Sequence, residues 1–166
     1  MKKIWLLIVM SALLSAMVRP VFAENKPMDT MVLEGVTSGK VVWDINTASP
    51  AKLALYLGII QETYDDLVRQ GISPSMVLTF RGQSLRIIST EHEEISVQSI
   101  PEIEQSARMI HALNQRNGIR MEACSIAARI VEVDTGKILD GIRPVGNTFV
   151  SLIGYQSKGY AIIPIY

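Results

Sequence analysis

Cys124, the single cysteine among 166 residues, is the side chain with the most chemistry to offer. It follows the segment Ile119 to Ala123, which reads as a strand, and Ser125 after it opens a helical pattern, so it falls at the carboxyl end of a strand where a helix begins. In open parallel sheets, ligands and reactive groups collect at that edge. Free N–H groups and partial positive charge at a helix start lower a thiol's pKa and favour the thiolate. Ser125 and the amides after it are therefore candidate anion contacts. Arg81, just past the second strand, adds positive charge if its loop reaches the same edge. The opposing expectation is equally physical: a free Cys is among the most buried residue types and often only packs.

Other constellations fail on spacing. Gly35 to Lys40 has one residue too few between its glycines and Lys40 for a phosphate loop, and it precedes a strand instead of linking strand to helix. No G-x-G-x-x-G follows the first strand. Asp134-Thr135-Gly136 occurs once, whereas an aspartic-protease site needs two opposed carboxylates, so it reads as a turn. Glu91-His92-Glu93-Glu94 reads as a solvated run, since four adjacent residues rarely converge on one ion. His111, in mid-helix, is expected to be partly buried and hydrogen-bonded. No cofactor and no metal site is expected.

The elements that must position Cys124 are legible in the chain. Met1-Lys2-Lys3, an apolar run from Ile4 to Val18, and Val21-Phe22-Ala23 form the pattern of a secretory signal peptide cut after Ala23. The run is shorter than the roughly 20 residues of a membrane-spanning helix. Losing Lys2, Lys3 and Arg19 reduces the sixteen basic residues to thirteen against sixteen acidic, a net charge of −3. That balance argues against nucleic acid as a partner, and no membrane association is expected after cleavage. Residues 24–38 lack periodicity and read as a flexible lead-in. From residue 39 to 166 short apolar runs alternate with helix-period segments. Strands are expected near 41–45, 76–80, 119–123, 142–145 and 160–165. Helices are expected over about 50–70 and 101–116, briefly after Cys124, and from Asn147-Thr148 to about Lys158, with a helical turn and loop between Gln83 and Ser99. Such alternation predicts one α/β domain, a three-layer α/β/α stack on a mostly parallel sheet of about five strands. On the first helix Leu55, Tyr56 and Ile59 widen the apolar stripe beyond what one sheet face needs, which fits a well-covered helix or an oligomer contact.

At several points the chain resembles the DsrE/DsrF-like family of small sulfur-relay proteins. Lys40-Val41-Val42-Trp43-Asp44-Ile45-Asn46 with Ser49-Pro50 resembles the family's opening strand and helix start. Met76 to Gly82 resembles its second strand and glycine turn, with Arg81 where many members carry His. Ile119 to Cys124 is similar to its cysteine-bearing strand end, and Gly154 to Ala161 to its closing Gln-x-x-Gly-Tyr-Ala segment. The resemblance implies a flavodoxin-like fold, homo-oligomers such as trimers or hexamers, and a cysteine that carries sulfur as a persulfide to a partner thiol protein. Only Cys124 carries over as the reacting residue. The expectation is thus a periplasmic protein that binds or relays sulfane sulfur. Its rivals are a non-catalytic module holding a small ligand or protein around Trp43, Asn46 and Arg81, with an inert buried cysteine, and an oligomeric assembly subunit.

Overall fold

The computed structural model of the chain describes residues 26–92 and 95–166. The expected signal peptide, and Glu93 and Glu94 of the acidic run, lie outside them.

Strand β1 (Ser38–Ile45) ends in five consecutive buried residues. The chain then turns, and Ser49 caps helix α1 (Pro50–Arg69) by accepting from the Lys52 N–H at 3.2 Å, with Pro50 in the first turn where its missing donor costs nothing. Leu53, Ala54, Leu57 and Ile60 are its buried face. Gly71, at φ +79, releases the chain into strand β2 (Ser73–Phe80). A short helix α2 (Ser84–Ile87) and a loop lead to α3 (Ile100–Asn114), which buries Ile103, Ser106, Ile110 and Leu113. His111 is exposed on α3, not partly buried as expected, because it sits one residue, about 100°, past Ile110 on a helix whose buried stripe is narrow.

Strand β3 (Ile119–Cys124) runs into helix α4 (Ser125–Ile130). After it, Asp134 accepts from the Gly136 N–H at 2.8 Å, the expected turn. Strand β4 (Arg143–Val145), helix α5 (Thr148–Ser157) and strand β5 (Ala161–Ile165) complete the domain. Residues 26–37 hold more structure than a flexible lead-in. A helical turn at Thr30–Leu33 follows Asp29, whose N–H donates to Gln70 Oε1, and Arg69 reaches the carbonyls of Lys26 and Pro27.

All five strands are parallel, in the order β4-β3-β2-β1-β5. The chain steps outward from β1 to β4, and α5 then carries it back across the sheet to the far side of β1. The two sheet faces differ in chemistry. Val41, Trp43, Ile45, Met76, Leu78, Phe80, Met121 and Ala123 point to one side and share a core with α1 and α3. Each fully buried Leu or Ile there contributes on the order of 1.5–3 kcal/mol. The alternate residues point to the other side and include Asp44, Thr79 and Glu122, all buried and abreast of one another. Helix α5 lies over that polar face, touching β1, β3 and β5. It fully buries only Thr148, and Phe149, Val150 and Ile153 are exposed.

Candidate functional site

The carboxyl ends of β1, β2 and β3 bring Asn46, Arg81 and Cys124 to one edge of the sheet. Cys124 is the N-cap residue of α4, still in extended conformation, and pairs with Val145 of β4. Thr148, the first residue of α5, sits against it; Asn147 fixes that turn by accepting from the Phe149 N–H at 2.9 Å. Cys124 is 5% exposed and Thr148 fully buried. Burial raises the thiol's pKa. The Thr148 hydroxyl, the Thr148 N–H and the N–H groups of Ala127 and Ile126 oppose it, and the thiol lies below its ordinary value. The Thr148 hydroxyl is buried and has no hydrogen-bond partner among the described residues, so its proton is free to turn toward a thiolate. Of the expected anion contacts, the amides after Ser125 are in place. Thr148 was not foreseen: it lies 24 positions downstream and carries no local signal of its role.

Arg81 is also at this edge. The β2–β3 register ends at the Phe80–Ala123 pair, and Arg81 and Cys124 are the next residues of the two chain segments at that edge. Its charge is already engaged: Nε and Nη2 donate to the two oxygens of Asp44 at 2.8 Å each. Asn46 closes the arrangement: in the amide orientation that satisfies both partners, its oxygen accepts from Arg81 Nη1 at 2.9 Å and its nitrogen donates to the Arg81 carbonyl at 3.3 Å. The rings of Phe149 and Tyr166 lie 5.2 and 5.9 Å from the guanidinium. Gly82 makes this packing feasible, because a Cβ there would fall 2.1 Å from the Asn46 side-chain amide. Arg81 thus braces the edge. Trp43 does not join it: its side chain lies on the opposite, apolar face, packed in the core.

On the polar face, two residues before Cys124, Glu122 accepts a hydrogen bond from Tyr155 Oη at 2.9 Å and lies 3.4 Å from Arg143 Nη2, both at Oε1. Its Oε2 is buried without a partner among the described residues. Sequence reading passed over Glu122, since a lone Glu in a strand looks like any solvated carboxylate. Among the described residues no three His, Cys, Asp or Glu side chains converge as metal ligands, and no helix is long and apolar enough to cross a membrane.

No family model matches the chain. It is 22% identical over 157 residues to an uncharacterized protein of Aquifex aeolicus (strain VF5), a match covering 95% of this chain. The chain spans 65% of that relative's length. The solved structure of a protein of unknown function from Methanobacterium thermoautotrophicum aligns with a TM-score of 0.60 at 18% identity, covering 76% of this chain and 99% of that one. This likeness supports the α/β fold and carries no activity with it.

Proposed function

We propose that the protein carries sulfane sulfur as a persulfide on Cys124. The carrying observation is the set of donors around the thiol. Apolar burial alone raises a thiol's pKa, whereas here Thr148 and the first N–H groups of α4 and α5 hold it below its ordinary value. The Cys124 thiolate would attack the terminal sulfur of a polysulfide. A new S–S bond forms, the donor's S–S bond breaks, and the electron pair leaves with a polysulfide dianion one sulfur shorter. A partner thiolate would then attack the outer sulfur of the persulfide, take it as its own persulfide, and release the Cys124 thiolate. Because Cys124 is nearly covered, loading requires the first turn of α5 to yield; that helix buries only Thr148 and bonds to β3 through Tyr155.

The resemblance of residues 119–124 to a DsrE/DsrF-like strand end supports the same chemistry, and the N-terminal pattern supports export to the periplasm. Self-association belongs to this reading, since Leu55 and Ile59 of α1 and Val150 and Ile153 of α5 present exposed apolar surface.

Intact mass spectrometry after brief exposure to polysulfide tests the proposal. The expected result is a gain of one or more sulfur atoms, removed by reductant and absent in Cys124→Ser. An unchanged mass overturns it. The low exposure of Cys124 favours one second reading, a binding module with an inert cysteine, which predicts that unchanged mass together with slow reaction toward thiol reagents.

A further inference from the structure

Strand β4 pairs only with Glu122–Cys124, so the edge of β3 from Ile119 to Met121 has no strand beside it. A groove of about 490 Å³ opens there, away from the thiol edge, lined among others by Asn114, Arg120, Glu122, Arg143 and Tyr155. Its size is that of a small-molecule site. Its charges are arranged unusually. Arg120 and Glu122 point to the same face from alternate positions of one strand. Arg120 lies against the phenols of Tyr155 and Tyr160 and, among the described residues, forms no ion pair. Glu122 is 3% exposed, bound at one oxygen by Tyr155 and Arg143, while the other oxygen has no donor. A buried carboxylate oxygen left without a donor loses its hydration with nothing in exchange, which favours a ligand that supplies one. Arg143 holds Glu122 at only 3.4 Å with a side chain 76% exposed, so it can swing out of the way.

An acceptor that lacks a donor and a cation that lacks an anion thus sit on either side of the Tyr155 phenol. We infer that this groove binds a free α-amino acid as its zwitterion. The ammonium donates to the unpartnered Oε2 of Glu122 once Arg143 swings aside, and the carboxylate pairs with Arg120, whose planar fork suits a carboxylate. Tyr155 remains a neutral phenol between them, because burial and its hydrogen bond to Glu122 raise its pKa. Asn114 also lines the groove, and its amide suits a ligand with a polar, uncharged side chain. This site is independent of the persulfide reading and stands or falls apart from it.

Calorimetric titration of the full mature protein with L-glutamine at neutral pH is the test, with N-acetyl-L-glutamine lacking the ammonium and L-glutaminamide lacking the carboxylate. Saturable binding of L-glutamine is expected, with both analogues and both variants, Arg120→Gln and Glu122→Gln, weaker by about tenfold or more. Arg108→Gln, on the exposed face of α3, should bind as the native chain does. Circular dichroism melts establish that each variant is folded; Glu122→Gln keeps the acceptor for Tyr155, and Arg120 is on the surface. The inference is overturned if L-glutamine, L-asparagine and L-serine all fail to saturate by about 10 mM, if either analogue binds as tightly as the zwitterion, or if folded Arg120→Gln retains full affinity.

Discussion

Thr148 and Cys124 form a pair whose value lies in the difference between a thiol and a thiolate. Replacing Thr148 by Val keeps the volume and removes one donor to the anion, so the Cys124 pKa should rise. The alkylation rate near pH 7 should fall by about tenfold if the hydroxyl is worth one pK unit, and the midpoint of the pH–rate curve should move upward. An unmoved midpoint would show that the hydroxyl does not address the sulfur. The same shift has a stability consequence. Because the folded pKa lies below the unfolded one, the ionised thiol adds stability that is complete above the unfolded value and fades as pH falls through the folded value. Denaturant titrations of the native chain and Cys124→Ser on both sides of that window should therefore diverge at the alkaline end and converge at acid pH.

Among elements, α5 is held over a polar sheet face, and Arg81 ties that face together by joining the ends of β1 and β2 and stacking beneath Phe149. Arg81→Ala leaves the buried Asp44 carboxylate without its cation and should destabilise the fold by about 3–5 kcal/mol in urea unfolding. Adding Asp44→Asn should recover a large part of that loss, whereas simple additivity of the two changes would deny the coupling. The elements themselves were legible because the burial of Leu53, Leu57 and Ile60 repeats with the helix period and Ser49-Pro50 marks a start that the backbone obeys. Cys124 at a strand end was legible for the same reason. The polar face was not, because a carboxylate such as Asp44 or Glu122 declares its burial only through partners 37 and 21 residues away. Trp43 misled in the same way: its position near the strand end suggested a ligand contact, while the alternation of β1 turns it into the core.

At the scale of the whole molecule, one face of the sheet is sealed by α1 and α3, and the other carries a helix that leaves much of its apolar surface in water. Self-association predicts a light-scattering mass that is a multiple of the single chain's, returning to the single-chain value when Val150 and Ile153 are both replaced by Glu. A native protein that stays single at high concentration would reject it. The strand order limits how such an assembly can form. The outermost strands are β4 and β5, and each carries a proline, Pro144 and Pro164, that takes one N–H donor out of a short rim. A neighbouring chain that tried to extend the sheet would meet an interrupted ladder of three residues on one side and five on the other. Growth by strand addition, the route to fibres, is therefore discouraged at both margins, and subunits are left to meet through their helices.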